Sequence, residues 1–233
     1  MKIRALLSSL LFPQARCLAC DEPRRLESGQ ALCAACRESL MAQRISEPHC
    51  PRCLSYTASG TQCSFCAQGG LEDIDRAYAP FRHREEAREL VLRLKFGPFE
   101  EAGPPLADAM ALAISGCQFD AMVPVPLHRN RLRERGFNQA EMLCRLIQRR
   151  RPDLALINAL ERYGKTRRQS SLQKGDRFQN VHGKFRALTR VDGKKILLVD
   201  DVRTTGATAQ ECARMLKEAG AASVSLLTAT VAD

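Results

Sequence analysis

Ile196-Leu-Leu-Val-Asp-Asp-Val-Arg-Thr-Thr-Gly-Ala-Thr208 joins a compact apolar strand to the start of a helix and places two acids and a run of small hydroxylated residues at the join. Residues 195–199 read as the strand, and residues 205–218 as the helix, with Ala209, Cys212, Met215 and Leu216 on one face and Gly220 just past its end. In α/β sheets ligands bind outside the C-terminal ends of such strands. Backbone N–H groups of the loop and first helical turn, with the hydroxyls of Thr204, Thr205 and Thr208, can surround a phosphate, and Gly206 permits close approach. Asp200 and Asp201 beside it can accept hydrogen bonds from ribose hydroxyls. A glycine-bearing turn alone is a weak signal, but an Asp-Asp pair followed at fixed spacing by Thr-Thr-Gly-Ala-Thr is far more specific.

Outward from this loop, strand and helix alternate: a strand over 121–125, a helix over 138–149 with Ala140, Leu143, Cys144 and Ile147 inward, and a final strand over 223–231. This alternation implies a parallel sheet with crossover helices. Earlier in the chain, residues 82–96 have helical spacing in Ala87, Leu90, Val91 and Leu94, and a second helix is expected over 105–115 with Pro105 in its first turn. Residues 162–181 are polar, basic and aperiodic, which inside a domain points to a functional loop. Nine Lys or Arg residues between Arg162 and Arg190 face one acid, Asp176, so an anionic ligand is expected to offset their repulsion.

The chain has 233 residues, 45% of them hydrophobic, and a formal net charge of +10, which suits one α/β domain with a small appendage and a polyanionic partner. Charge alone does not separate a nucleotide from DNA. Eight of the eleven cysteines form four CxxC pairs: Cys17/Cys20, Cys33/Cys36, Cys50/Cys53 and Cys63/Cys66. Two CxxC turns supply the four-sulfur tetrahedron that zinc prefers, so two zinc ions are expected; sequential pairing is the simplest assignment, with interleaved pairing open. A redox dithiol is the weaker reading. His49 reads as a bystander, and closed four-sulfur sites are structural, with no open position for chemistry. Arg24, Arg25, Arg37, Arg44 and Arg52 could meet nucleic acid, a partner or only solvent. Lys2, Arg4 and the apolar run 5–12 imitate a signal peptide, but Pro13, Gln14 and Arg16 follow, so the run reads as a short amphipathic helix. No run approaches the ~18 apolar residues of a membrane span. The expectation is therefore a cytoplasmic chain with reduced thiols, divided into residues 1–68 and 71–233 with a hinge at Gln68, Gly69 and Gly70.

The loop at 200–208 resembles the phosphoribosyl pyrophosphate (PRPP) signature of type I phosphoribosyltransferases. The whole chain is similar to the ComF family, through the four CxxC pairs, Leu94-Lys95-Phe96, Val123-Pro-Val-Pro-Leu127, Arg135-Gly-Phe-Asn-Gln139, then Gln169, Arg177, Asn180, Gly183 and Phe185, and the loop itself. That resemblance implies an α/β fold, a type I phosphoribosyltransferase-like parallel sheet flanked by helices, preceded by a double zinc ribbon. It implies that Asp200 and Asp201 hold the ribose hydroxyls and that Thr204, Thr205, Gly206, Ala207 and Thr208 hold the 5′-phosphate. Val125, Pro126 and Leu127 would face the pyrophosphate, with Arg135 and Asn138 as further candidates. Arg203, which replaces the signature's usual apolar residue, would stand at the pocket's edge. Lys165 joins the two acids as a catalytic candidate, with Thr166, Arg167 and Arg168 closing beside it, and Mg²⁺ would arrive with PRPP. No residue plainly reads a nucleobase. The resemblance further implies a role in DNA uptake or in the use of DNA as a nutrient, with single-stranded DNA and other uptake proteins as partners. Two functions follow: an enzyme with an unidentified acceptor, or a non-catalytic PRPP- or nucleotide-binding module that holds single-stranded DNA. With no Trp and three Tyr, any grip on DNA would be electrostatic.

Overall fold

The strand that carries the two acids lies in the middle of a parallel sheet. The computed structural model describes residues 16–23, 26, 30–97, 100–164 and 181–232. The expected N-terminal helix and the basic segment 165–180 lie outside them. In chain order the described elements begin with α1 (Ala34–Ala42), α2 (Ser64–Ala67), β1 (Arg76–Tyr78), β2 (Phe81–Arg82), α3 (Glu85–Phe96), α4 (Gly103–Ala113) and β3 (Ala121–Pro124). They continue with α5 (Arg129–Arg135), α6 (Gln139–Arg150), β4 (Ala155–Leu156), β5 (Leu160–Arg162), β6 (Phe185–Ala187), β7 (Lys195–Arg203), α7 (Ala207–Glu218) and β8 (Ser223–Val231).

The sheet runs β1-β8-β7-β3-β4, all parallel, and β2 also pairs with β8. β1 and β2 are two halves of one edge, separated by Ala79 and Pro80. β3 leads through α6 to β4 on one side, and β7 leads through α7 to β8 on the other. Right-handed crossovers that leave in opposite directions must place their helices on opposite faces. Accordingly Leu143 and Ile147 of α6 pack with Leu197 and Val199, while Cys212 and Leu216 of α7 pack with Ile196 and Leu198. The chain thus reverses its winding between β3 and β7, and the C-terminal ends of those strands open a crevice there. β5 and β6 form a separate antiparallel pair beside it.

The expected helices form with their named faces inward: Ala87, Leu90, Val91 and Leu94 in α3, and Ala140, Leu143, Cys144 and Ile147 in α6, are all buried. α3 starts at Glu85 rather than at residue 82 because Phe81 and Arg82 pair with Thr230 and Val231 of β8. α4 starts with Pro104 and Pro105 at its first positions, where missing N–H groups cost nothing.

The cysteine-rich segment packs into the cores of both faces. Cys17, Leu18, Leu32, Cys36 and Leu40 join the core built on α3, α4 and α6, whereas Cys50, Cys53, Leu54 and Cys66 join the one built on α7. Buried Arg82 fastens the second half of this segment, its Nε donating to Glu47 Oε1 at 2.7 Å and its Nη1 to the Leu54 carbonyl at 2.7 Å. Backbone bonds from Ile45 to Pro80 at 3.0 Å and from Ala77 to Pro51 at 3.0 Å continue the seam. At the expected hinge, Gly70 donates to the Phe65 carbonyl at 2.9 Å, and a Cβ there would have to displace the Phe65 ring. Among the described residues no helix is long and apolar enough to cross a membrane.

Candidate functional site

β7 is longer than its apolar run. It continues through Asp200 and Asp201 to Arg203 because β8 continues beside it, pairing Asp200 with Thr228, Val202 with Thr230 and Arg203 with Val231. The acids therefore belong to the strand, and as consecutive strand residues they point to opposite faces. Asp201 meets the Lys95 ammonium of α3 at 2.9 Å, with both side chains largely buried. Asp200 faces α7, in the fields of Arg162 and Cys212, and its Oδ1 accepts the Asp201 N–H at 2.8 Å. Burial, then the neighbouring Asp201 charge, pushes the Asp200 carboxyl up to about 7 against the pull of Lys95 and Arg162.

An unfolded Asp ionises near pH 4, so folding takes up a proton at Asp200 between about pH 4 and 7. Because the folded-state value is raised, this carboxyl destabilises the fold progressively through that window and fully above it. Asp200→Asn is expected to be more stable than the parent chain at pH 8, with the difference fading toward pH 4. Urea titrations at both pH values check this, and an equal difference at each would contradict it.

The loop after β7 comprises Thr204, Thr205 and Gly206, so the helix begins at Ala207, two residues later than its pattern suggests. Gly206 caps α7 in a left-handed conformation, φ 83°, and a Cβ there would lie 2.8 Å from Leu71 Cδ2. The Thr205 hydroxyl accepts the Ala207 N–H at 3.4 Å. Gly206 offers no side-chain cap and the first turn of α7 holds no acid, so no carboxylate of the helix itself offsets its positive end at the crevice.

Across the crevice, Val125 donates to the Val199 carbonyl at 2.9 Å and so brings the Pro126-Leu127 turn beside the acids. Asn138 holds that turn to α6: its Nδ2 donates to the Val125 carbonyl at 3.1 Å, and its Oδ1 accepts the Ala140 N–H at 3.0 Å. Arg135 lies over the Phe96 ring at 5.4 Å and donates to Gln139 Oε1 at 2.9 Å. Arg203 is 6% exposed and donates to the carbonyls of Thr204 at 2.8 Å and Ala232 at 3.3 Å. Its guanidinium thus ties the loop after β7 to the end of β8, which accounts for a charged residue at a position expected to be apolar.

The crevice measures about 1340 Å³ and is lined by Asp200, Asp201, Arg203, Thr204, Thr205, Gly206, Ala207, Thr208, Val125, Pro126, Leu127, Arg135 and Asn138. Lys165, Thr166, Arg167, Arg168, Gln169, Arg177 and Asn180 lie outside the described residues. Lys95 and Arg162 line the crevice beyond the residues that the sequence singled out as ligand contacts. Lys95 falls four residues after Val91, on the inward stripe of α3, and a charge at that spacing was the available signal. Arg162 ends β5 rather than opening a loop, packs on the Phe185 ring at 5.3 Å and lines the crevice near Asp200.

The cysteines gather sequentially: the sulfurs of Cys17, Cys20, Cys33 and Cys36, and those of Cys50, Cys53, Cys63 and Cys66, each lie within 4.8 Å of one another. A tetrahedral zinc–thiolate cage has sulfurs about 3.8 Å apart, and Cys53 Sγ to Cys63 Sγ is 3.5 Å. Burial opposes ionisation of Cys17, but the backbone N–H groups of Cys20, Cys33 and Ala19 outweigh it and lower its pKa to about 6. That of Cys33 donates to the Cys17 sulfur at 3.3 Å. Closed sets of four sulfurs, with backbone donors favouring the thiolate at Cys17 in one and Cys50 in the other, suit structural zinc. The arrangement rules out the interleaved pairing, and His49 is in neither set.

Comparison with known proteins agrees with both halves. The model of the double zinc ribbon domain matches residues 7–67, and that of the phosphoribosyl transferase domain matches residues 141–233. The chain is 31% identical over 216 residues to DNA utilization protein YhgH of Escherichia coli (strain K12), covering 89% of this chain and 93% of that protein. It is 28% identical over 222 residues to Competence protein F of Haemophilus influenzae, with 90% and 93% covered. With Competence protein ComFC of Streptococcus pneumoniae it shares 30% identity over 194 residues, covering 83% and 84%.

Proposed function

Since the chain belongs to the ComF family of competence and DNA-utilization proteins, we propose that its crevice binds PRPP with Mg²⁺ and supports transfer of the phosphoribosyl group to an acceptor in the handling of incoming DNA. The observation that carries this reading is the convergence, at the reversal between β3 and β7, of two in-strand carboxylates with a glycine-capped helix start. The 5′-phosphate would lie on Thr204, Thr205, Gly206, Ala207 and Thr208, where backbone N–H groups and hydroxyls provide fixed donors. Asp200 and Asp201 would accept the ribose hydroxyls, and the turn at Val125, Pro126 and Leu127 would border the pyrophosphate. Asn138 positions that turn, and Arg135 and Arg162 supply charge toward the diphosphate.

In transfer, the bond from the anomeric carbon to pyrophosphate breaks with its electron pair leaving on the diphosphate, and an acceptor nitrogen's lone pair forms the new bond. The developing positive charge on the sugar lies beside two acids, so the protein contributes positioning and charge stabilisation without moving a proton at either one. Substrate phosphates would hold Mg²⁺ in this carboxylate-bearing crevice, where it would supply neutralisation of the leaving group's charge. Lys165 is retained as a catalytic candidate on the sequence argument alone.

The test is to incubate the zinc-loaded chain with PRPP, Mg²⁺ and a panel of bases, amines and single-stranded DNA, measuring pyrophosphate release and the mass of each acceptor. Stoichiometric release with mass gain on one acceptor is expected. A second reading is a non-catalytic module in which PRPP or a nucleotide occupies the crevice while single-stranded DNA binds outside. It is favoured by the exposed basic helix α5, whose Arg129, Arg131 and Arg133 face solvent, Arg131 also lining the crevice. PRPP binding without release, together with DNA affinity that falls steeply with salt, would select it. Other uptake proteins are proposed as partners, and the cytoplasm as the compartment, because reduced CxxC sites persist there.

A further inference from the structure

The turn that leaves the second cysteine cage ends against the phosphate loop. Cys66, a member of that cage, accepts the Gly69 N–H on its carbonyl at 3.3 Å, and two residues later Leu71 is fully buried. The Leu71 methyls fill the space where Gly206 would carry a side chain, with Cδ2 2.8 Å from that Cβ position. The next contact is reciprocal: the Asp73 N–H donates to Gln210 Oε1 at 3.3 Å, and Gln210 Nε2 donates back to Asp73 Oδ2 at 2.6 Å. Gln210 in turn donates its N–H to the Gly206 carbonyl at 2.8 Å. At the far end, Asp75 Oδ2 accepts the Val224 N–H at 2.7 Å and the Lys217 ammonium at 3.1 Å, which fixes the turn to the start of β8 and the end of α7.

Two consequences follow from this geometry. Left-handed Gly206, itself buried, lines the crevice on one side and is closed on the other by Leu71, so the loop cannot retreat from a bound phosphate without displacing a buried side chain. The first turns of α7 are held by the Asp73–Gln210 pair, whose bonds would be lost if the helix end moved.

We propose that Leu71 and Asp73 are positioning residues that hold the phosphate loop, and that through them the state of the second cysteine cage is felt at the crevice. This rests on the phosphate-loop reading of residues 204–208 but extends it to a segment assigned to neither the ribbon's metal nor the ligand. The coupling has a rigid route: the cage fixes Cys66, the turn fixes Leu71, and Leu71 backs Gly206.

The test compares amide hydrogen exchange in the ligand-free, zinc-loaded full chain for the parent, Leu71→Ala, Leu71→Met and Asp73→Ala. The expected result is at least tenfold faster exchange at residues 204–210 in Leu71→Ala and Asp73→Ala, with two zinc ions retained, exchange at residues 125–127 unchanged, and near-parental exchange in Leu71→Met. PRPP affinity in Leu71→Ala should fall about tenfold. Unchanged exchange at 204–210, or an equal rise at 125–127, would overturn the proposal. Asp73→Ala, on the turn's less buried side, keeps the test decisive if Leu71→Ala does not fold. Because exchange needs no ligand, a parent chain that fails to bind PRPP would sink the ligand assignment while leaving this coupling standing.

Discussion

Titration of Asp200→Ala/Asp201→Ala with PRPP and Mg²⁺ is expected to show binding at least a hundredfold weaker than in the parent chain. Each carboxylate that accepts a ribose hydroxyl makes a charge-assisted hydrogen bond, worth about 1.5–3 kcal/mol. Losing both removes about 3–6 kcal/mol, or two to four orders of magnitude in affinity. The fold should survive. Removing Asp200 relieves a carboxyl whose charge is disfavoured by desolvation and by Asp201, while removing Asp201 leaves the Lys95 ammonium, at 18% side-chain exposure, without that partner. The two stability effects oppose one another, whereas the two binding effects add. Zinc content and melting temperature of the double variant separate lost binding from lost structure, and parental titration heats would refute the role given to the acids.

Cys66→Ser is expected to produce the largest loss of stability of any single substitution named here. Its sulfur completes the second cage, and the residue is 2% exposed within the core that includes Leu71, Ile74 and Leu216. Structural zinc contributes on the order of 10 kcal/mol to the folding of small zinc modules, comparable to the whole stability of a typical domain. Because this cage packs directly on the α7 face of the sheet, its loss should reach beyond the ribbon. Metal analysis should fall from two zinc ions to one per chain, and the melting temperature by more than about 10 °C. Cys144→Ala, at a buried cysteine outside both cages, should keep both ions; a Cys66→Ser chain that also keeps two would exclude Cys66 as a ligand.

The helices were legible because their periodicity is set by burial. Each of Ala87, Leu90, Val91 and Leu94 in α3, and of Ala140, Leu143, Cys144 and Ile147 in α6, faces the core that its spacing predicted. The strand-to-helix turn after the two acids was legible because few sequences place two acids and a small-residue turn at a strand end. The full length of β7 was not, since its last four residues are held by pairing with β8, and non-local hydrogen bonds leave no hydrophobic pattern. β1 and β2 were hidden by their brevity and by Pro80. The packing of the ribbons onto both cores was hidden too, because Leu18 and Leu54 lie in segments without periodicity and Leu40 lies in a short helix whose other buried residue is Cys36. Lys95 shows the opposite failure: its helix was recognised, but a charge on the apolar stripe was not followed to the acid it meets.

The most direct test is a crystal of the zinc-loaded chain soaked with PRPP and Mg²⁺. The expected density places the 5′-phosphate against residues 204–208 and the ribose hydroxyls on the carboxylates of Asp200 and Asp201. An unfilled crevice at saturating PRPP, or a ligand seated away from both acids, would contradict the account.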